Sequence, residues 1–418
     1  MSTSRIAELS AIIASQTEVL DEYLQNQGLP APSFSVDAPS DAFGQSDAII
    51  AKAKTDVVEA SIKLRQLLEG PVKLLLPECN FAPLAAIHRF KIASHVPLSG
   101  TTSFADLARK CNLLENDLCR IIRYAAIHHH VFCEPEKGFV AHSAASKMLA
   151  ESEMVRNLMG LQYGECWPAH ARAVDAMSQR SEEPNISGYA LANGTSLNTF
   201  EFFAQNPERA RGFAAAMSGT SPASLDALAT YFDWQSLPEG GTVVDVGGAN
   251  GHVSCHLARA FPHLRFVVQD MPEVAAGAQE KIPEELCGRV SVVGHDMFTE
   301  QTVKEADVYL LRYVLHDWPD KYCIKVLKSL VPALKKGARV VIQDHLLPEP
   351  GTLPLLQEMQ LRSMDAIMLS LFNSRERGAD DWKSLFQQAN ADYGFFSATR
   401  IKEGASGIIQ VEWAGDEQ

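Results

Sequence analysis

The stretch 242–252 constrains the fold more than any other part of this 418-residue chain. It reads TVVDVGGANGH and leads into the mostly apolar run 253–261. The β-prone residues, the glycines and the apolar run predict a strand, a tight turn and the start of a helix. Glycines at such a turn let the backbone approach a ligand where strand carboxyl ends meet helix amino ends.

The glycine spacing is D-x-G-G-x-x-G, and no lysine follows the last glycine. A phosphate loop has the spacing G-x-x-x-x-G-K-[ST], so this turn is not shaped for a nucleoside triphosphate. An ordinary strand–helix connection gives the same pattern, and the turn alone leaves both interpretations open.

Strand and helix patterns alternate from residue 242 onwards, with prominent helices over 322–334 and 356–371. This alternation predicts an α/β domain with a parallel, doubly wound, Rossmann-like sheet. The last two strands, joined through 403–406, predict an antiparallel hairpin at one edge. The predicted strands are 242–246, 265–269, 290–294, 307–311, 339–343, 394–401 and 407–413.

The N-terminal half has helical spacing over 6–24, 48–68 and 71–92. Two short helices at 103–111 and 115–128 and a hairpin over 132–142 then predict a winged-helix arrangement, which is typical of DNA-binding proteins. Helices are also predicted over 146–158, 166–177, 199–204 and 206–218, with a surface loop over 178–196.

The net charge of −14 and the pI near 5.4 disfavour binding to nucleic acid or to an anionic membrane, because both need basic surface. A packing or dimerisation role suits the winged helix better, and the apolar faces of the first two helices predict a homodimer. The N-terminus has no signal-peptide pattern, and no apolar run is long enough to span a bilayer.

The eight cysteines are scattered without a C-x-x-C pair, which indicates reduced thiols in a cytoplasmic protein. We expect no metal: the run His128-His129-His130 is interpreted as ordinary turn or wing residues, since consecutive strand residues point to alternate faces.

Three strand ends carry residues suited to ligand chemistry. Asp270 ends the second strand, where a carboxylate can bind ribose hydroxyls, and it also precedes a helix that it could cap. Asp296 and Met297, with Phe298, follow the third strand and could hold an adenine ring, although a simple turn explains them equally.

His316 follows the fourth strand, and an imidazole there suits proton transfer near neutral pH, although a surface or capping histidine is the plainer interpretation. Asp344 ends the fifth strand, next to the fourth. We expect its carboxylate to accept a hydrogen bond from the imidazole. No nucleophile elbow is present, so hydrolysis is disfavoured.

Together these stretches resemble the plant-type, caffeate-like S-adenosylmethionine-dependent O-methyltransferases, in the branch common in fungal secondary metabolism. The resemblance covers the C-terminal half, and the N-terminal half with GFVAHSAAS resembles the family's dimerisation domain. The matching stretches are VVDVGGANGH, RFVVQDMPEV, GHDMF, LLRYVLHDWPD, VVIQDHLLP and NSRERGADDW.

The resemblance implies S-adenosyl-L-methionine as cofactor. It implies backbone contact from Gly247, ribose binding by Asp270 and adenine packing by Met271. It also implies adenine binding by Asp296 and Met297, and a cofactor contact from Arg312. Ala249 stands where the family usually has glycine, a small change that fits the turn.

For catalysis, the resemblance implies His316 as general base and Asp344 as an acid that orients it. Glu376, in the Glu376-Arg377 pair, matches a second supporting acid. The flanking residues depart from the family pattern, because Ser374-Arg375 replaces glycine-lysine, so Asp380 is an alternative.

The expected reaction transfers a methyl group to a hydroxyl of an aromatic or polyketide-like acceptor. Met217, Met364, Met368 and Phe372 could line the acceptor pocket, although helix core explains each equally. The expected domains are a dimerisation domain over 1–150, connecting helices over 151–220 that contribute to the acceptor pocket, and a methyltransferase domain over 221–418.

Two other classes stay open. A relative that uses the sulfonium charge for a pericyclic ring closure or dehydration would lose or repurpose the base, whereas His316 is retained. A non-catalytic regulator would bind through the winged helix, against which the acidic charge argues.

Overall fold

A computed structural model describes residues 4–44, 46–78, 80–217, 222–401 and 406–415. Residues 403–405 of the predicted link 403–406 between the last two strands lie outside these ranges, and Ser406 begins the last strand. The helices are α1 Arg5–Gln27, α2 Ala48–Leu75, α3 Ala82–Arg89, α4 Phe104–Cys111, α5 Glu115–His129, α6 Ala144–Glu151, α7 Glu153–Gly160, α8 Trp167–Met177, α9 Gly188–Asn193, α10 Thr199–Gln205, α11 Pro207–Met217, α12 Pro222–Tyr231, α13 His252–Ala260, α14 Pro272–Ala275, α15 Asp320–Leu330, α16 Leu355–Phe372 and α17 Ala379–Ala389. The strands are β1 Thr102–Ser103, β2 Cys133–Glu136, β3 Phe139–Ala141, β4 Thr242–Val246, β5 Arg265–Asp270, β6 Val290–Gly294, β7 Val308–Arg312, β8 Arg339–His345, β9 Tyr393–Arg400 and β10 Ser406–Trp413.

The chain divides into two units. The first comprises Met1–Trp167 and Glu208–Ser218, and the second comprises Pro168–Pro207 and Gly219–Gln418. The segment 151–220, expected to connect two domains, therefore contributes residues to both units.

In the first unit, α1 and α2 pack through a small apolar cluster that includes Leu20, Ile50 and Ala53. Helices α4 and α5 with the antiparallel strands β3 and β2 give the predicted helix–turn–helix and wing, and β1 extends this sheet in the order β1-β3-β2. Its core is apolar and buried, with Leu107, Leu118, Ile122, Phe132 and Val140 among its members.

Two expectations for this unit were wrong. Residues 71–92 do not form one helix: α2 passes through the non-helical Gly70 to Leu75, and α3 begins only at Ala82. Pro77 accounts for the stop, because proline disfavours helical geometry in the residue before it. His128 and His129 end helix α5 and His130 is its left-handed cap, so these histidines do not lie in the wing.

The second unit has a seven-stranded sheet in the order β6-β5-β4-β7-β8-β10-β9. Strands β6, β5, β4, β7 and β8 are parallel, and β10 pairs antiparallel with both β8 and β9. Apolar residues of the central strands are buried on both faces, against two large clusters that contain α13 and α15. This is the predicted doubly wound sheet with an antiparallel edge, and it brings five strand ends together.

The prediction of a surface loop over 178–196 was wrong, because this segment contains the buried helix α9. Ser187 caps this helix by accepting a hydrogen bond from the Ala190 amide, and Tyr189 is fully buried. A Cβ on Gly188 would lie 2.2 Å from the Ala169 carbonyl oxygen, so only glycine permits this approach of α9 to α8.

Candidate active site

The glycine turn, defined as residues 246–251, joins β4 to α13. Gly247 and Gly251 have φ values of 77° and 73°, in the left-handed region that favours glycine. A Cβ on Gly247 would lie 2.7 Å from Val314 Cγ2, and one on Gly248 would lie 2.7 Å from Asp245 Cγ. Neither glycine has room for a side chain, so the turn presents bare backbone at the strand ends.

Asp270 stabilises this turn from the end of β5. Its carboxylate accepts hydrogen bonds from the Ala249 amide at 2.9 Å and from the Met271 amide at 2.8 Å. The cap of α14 is Met271, without a side-chain hydrogen bond, so the helix-capping alternative for Asp270 is not what the structure shows. Burial raises the pKa of Asp270, and the two hydrogen bonds from the backbone amides partly oppose this rise. A carboxylate has about four acceptor sites, so it can still receive two ligand hydroxyls.

Asp296 and Met297 follow β6 close to Asp270, whose carbonyl accepts a hydrogen bond from the His295 amide. Asp296 accepts from the Phe298 amide at 2.9 Å, which is the turn expected as the alternative. His295 Nε2 is buried with no partner in the described chain. Met271 is 46% exposed, so its thioether side chain is open to a ligand surface.

Arg312 ends β7. Its Nε donates to Gln343 Oε1 at 2.8 Å, and its guanidinium lies 4.7 Å from the Tyr313 ring centroid. Burial lowers the pKa of Arg312, while nearby acids oppose that effect. One of those acids is Asp245, a buried residue of β4 that accepts a hydrogen bond from the Ser254 hydroxyl at 2.6 Å. Burial raises the pKa of Asp245 to about 6. Asp245 was not predicted from the sequence to have a role, although an acid within an apolar strand is a visible signal.

His316 lies in the single 3₁₀ turn Leu315–Asp317 that follows β7, and it is only 7% exposed. Its Nδ1 lies 2.9 Å from Glu376 Oε1. Its Nε2 lies 3.6 Å from Asp317 Oδ1, which is too long for a hydrogen bond. The ring is therefore held at one nitrogen while the other keeps its hydrogen-bonding capacity.

Asp344 does not make the hydrogen bond expected of it. Both of its carboxylate oxygens are buried without a partner in the described chain, and Glu376 occupies the position on His316 Nδ1 instead. Asp344 is a fully buried residue within β8, whereas Glu376 comes from the segment after α16. Asp344 still acts on His316 through its charge.

His345 is a further residue of this site that was not predicted from the sequence. Its Nδ1 also lies 2.9 Å from Glu376 Oε1, so one carboxylate oxygen accepts from two imidazoles. The rings of His316 and His345 lie 5.8 Å apart, and each contacts the ring of Tyr313. We call His316, His345 and Glu376 the histidine cluster. The signal in the sequence was that His345 directly follows Asp344, a residue already expected in the site.

The charges in this cluster are strongly coupled. Burial alone would lower the pKa of His316, but the charges of Asp317, Asp344 and Glu376 raise it to about 10. Burial alone would raise the pKa of Glu376, but hydrogen bonds from the two histidines lower it to about 2. Because an ionised carboxylate only accepts, both Nδ1 atoms carry the hydrogen. Burial raises the pKa of Asp344 to about 6 and that of Asp317 to about 7.

Arg377, next to Glu376, stabilises the turn Leu315–Asp317 that contains His316. It is fully buried and donates to the Leu315 carbonyl at 3.0 Å and to the Trp318 carbonyl at 2.7 Å. Its charge is paired with Asp320. Asp380, the alternative to Glu376, is exposed in the first turn of α17.

The proposed acceptor residues fall into two groups. Met364, Met368 and Phe372 lie on α16 of the second unit, where Met368 and Phe372 are buried and Met364 is half-buried. Phe372 stacks on Phe200 with centroids 5.4 Å apart. Met217 belongs to the first unit and is 46% exposed.

The O-methyltransferase domain family matches residues 172–393, which is more than half of the chain. This chain belongs to the plant-type O-methyltransferase family. The enzyme is 44% identical to the grayanic acid biosynthesis cluster O-methyltransferase of Cladonia grayi, over 98% of this chain and 88% of that protein. It is therefore an S-adenosyl-L-methionine-dependent O-methyltransferase, as predicted.

Solved structures agree on the fold of this O-methyltransferase. The crystal structure of OxaC matches with a TM-score of 0.76 at 19% identity, over 97% of this chain and all of that one. A structure described as a pericyclic reaction enzyme matches with a TM-score of 0.68 at 20% identity, over 96% of this chain and 99% of that one. Identities this low show the fold alone, whereas the O-methyltransferases at 33–44% identity favour methyl transfer.

The residues present fit the cofactor. The glycine turn leaves no space for side chains, and the Asp270 carboxylate lies beside it with acceptor sites to spare.

No helix within the described ranges is long and apolar enough to cross a membrane.

Proposed function

We propose that the enzyme methylates a hydroxyl of an aromatic or polyketide-derived secondary metabolite, with His316 as the general base. The observation that carries this proposal is the 2.9 Å contact between His316 Nδ1 and Glu376 Oε1. A ring held by Nδ1 presents Nε2 as its basic atom, as in other imidazoles oriented by a carboxylate. One relative of this chain, from Cladonia grayi, is an O-methyltransferase of the grayanic acid biosynthesis cluster, which supports this class of acceptor.

The other site residues that were predicted from the sequence also have roles in this proposal. Glu376 orients the His316 ring, and Asp344 stabilises the imidazolium that forms when the ring takes the hydroxyl proton. Gly247, Asp270, Met271, Asp296, Met297 and Arg312 bind the cofactor, and Met364, Met368 and Phe372 contact the acceptor. When bound, S-adenosyl-L-methionine supplies an electrophilic methyl group, and much of the acceleration comes from alignment of the reacting atoms.

The test is incubation with methyl-labelled S-adenosyl-L-methionine and a panel of phenolic polyketides. We expect label in the product and one S-adenosylhomocysteine for each product molecule. Product formed without S-adenosylhomocysteine would identify the cofactor-assisted pericyclic alternative instead. No reaction or binding with any phenol would remove the proposed acceptor class.

We also propose a homodimer formed through the first unit. The second half of α2 exposes a row of large apolar side chains that water disfavours: Leu67, Leu68, Val72, Leu74 and Leu75. Light scattering should give twice the chain mass at micromolar concentration, and a monomer there would contradict the proposal.

We propose a cytoplasmic location as well. The seven described cysteines are free thiols, which supports a reducing compartment such as the cytoplasm. A fluorescent fusion tests that location.

A further inference from the structure

One carboxylate oxygen holds both imidazoles of the histidine cluster. Glu376 Oε1 lies 2.9 Å from His316 Nδ1 and 2.9 Å from His345 Nδ1. The three ligand-type atoms all lie within 4.8 Å of one another. In the described part of the chain, no other group of three histidine, cysteine or acidic residues meets this condition.

A second observation concerns the carboxylate oxygens at the same place. Glu376 Oε2 and both oxygens of Asp344 are buried without a hydrogen-bond partner in the described chain. Asp344 is fully buried, and its charge acts on both His316 and His345. Buried polar atoms are rarely left without a partner, so these three oxygens require a positive or hydrogen-donating group.

The chemistry of the donors selects the ion. Two imidazole nitrogens and one carboxylate oxygen are common ligands of Zn²⁺, which takes nitrogen at about 2.0–2.1 Å and binds three protein residues in open sites. Mg²⁺ requires octahedral oxygen coordination and does not suit this set.

We propose that His316, His345 and Glu376 form a zinc site, and that the bound ion switches methyl transfer off. Zinc takes the lone pair of each Nδ1 in place of the hydrogen now donated to Glu376. Each neutral ring then carries its hydrogen on Nε2, and any further ring proton leaves to solvent. His316 Nε2 consequently has no lone pair left to accept a hydroxyl proton. The switch, but not the zinc site, rests on the function proposed above.

Calorimetric titration of the full chain with Zn²⁺ tests the site. His345→Gln removes one ligand and should weaken the strongest zinc-binding event by about tenfold or more. The matched control is His256→Gln, because His256 also pairs with a carboxylate, at 3.3 Å from Asp226, but lies outside the cluster. The control should bind zinc as the wild type does. Free cysteines also bind zinc, but they are the same in all three proteins.

Equal zinc binding by the wild type and His345→Gln would overturn the site. If His345→Gln does not fold, as judged by circular dichroism, crystals of the wild type soaked in Zn²⁺ decide the matter. An anomalous peak at about 2.0–2.1 Å from both Nδ1 atoms supports the site. Zinc found only at cysteines or at lattice contacts overturns it.

The switch is tested by measuring methyl transfer in the same zinc series. Inhibition should follow zinc binding, a chelator should reverse it, and Mg²⁺ at equal concentration should have no effect. His345→Gln should need about tenfold more zinc for half-inhibition, relative to its own metal-free rate. Zinc binding without inhibition overturns the switch and counts against His316 as the base. Absence of zinc binding overturns the site and leaves the proposed function intact.

Discussion

The glycine turn and the histidine cluster are both at strand ends of the same sheet, yet they are built differently. The turn consists of six consecutive residues whose backbone geometry is set by glycines and whose partners are mostly main-chain atoms. The cluster takes its residues from three segments and depends on side-chain contacts across 60 positions of sequence. The turn is therefore determined by local backbone geometry, whereas the cluster depends on contacts between ionisable side chains that are distant in the sequence.

The largest expected effect comes from the cluster. His316→Ala should lower turnover by about 10²–10⁴-fold, because it removes the base. The dissociation constant of S-adenosyl-L-methionine, measured by calorimetry, should stay within about twofold of wild type if the two regions act separately. His256→Ala is the control, and an equal loss there would show that the effect is not specific to the base.

Glu376→Gln should be the next most damaging change. Loss of the carboxylate releases the ring, and we expect turnover to fall by about 10–100-fold. Neutral imidazole is the active form, so kcat/KM of the wild type should rise with pH towards the raised His316 pKa of about 10. Removing one of the negative charges that raise this pKa should move the rise to lower pH.

Asp380→Asn is the matched control for that change, since Asp380 is the exposed acid of the same region. It should alter neither turnover nor the pH profile. A pH profile of Glu376→Gln that coincides with the wild type would show that Glu376 does not set the protonation of His316.

The third change acts on the glycine turn. Asp270→Ala leaves the Ala249 amide and the bound ligand hydroxyls unpaired, at roughly 1–3 kcal/mol. S-adenosyl-L-methionine should then bind about tenfold or more weakly in calorimetry. Glu273→Ala, which removes an exposed acid nearby, should bind normally. Unchanged affinity of a folded Asp270→Ala would remove Asp270 from cofactor binding.

The smallest expected effect is a gain in stability. Ala249 has a φ of 49°, and a left-handed alanine costs roughly 1–2 kcal/mol. Ala249→Gly relieves this strain but adds freedom to the unfolded chain, so we expect a net gain of about 0.5 kcal/mol. Thermal unfolding should shift upward by about 1–2 °C. Ala171→Gly, at an exposed position inside α8, should shift it downward instead.

The comparison also explains what the sequence could predict. Strands β4 and β6 have the predicted bounds, because short apolar runs bounded by glycine and polar residues are local signals. Helix α9 was missed because it is short and its burial depends on a contact between Gly188 and α8. Local periodicity contains no information about such a contact.

The site was predictable to the same extent. The positions of His316 and Asp270 were predictable, because Asp270 ends β5 and His316 lies in the turn after β7, so topology places both at the carboxyl edge of the sheet. Which acid bonds to His316 was not predictable from the strand order: Asp344 is on the neighbouring strand, but the contact belongs to Glu376. His345 was missed because its role exists only through that same carboxylate.

The shared oxygen of Glu376 has a consequence for how this enzyme can evolve. A substitution at His345 changes how many hydrogen bonds Glu376 must satisfy, and so it changes the cost of any later substitution at His316. Residues that contact one another in this way have interaction energies of about 0.5–3 kcal/mol, so their mutational effects do not add. The order in which a lineage accepts changes at these positions therefore matters. Libraries for altered acceptor choice should vary the three positions together, since single-site scans would miss the permitted combinations.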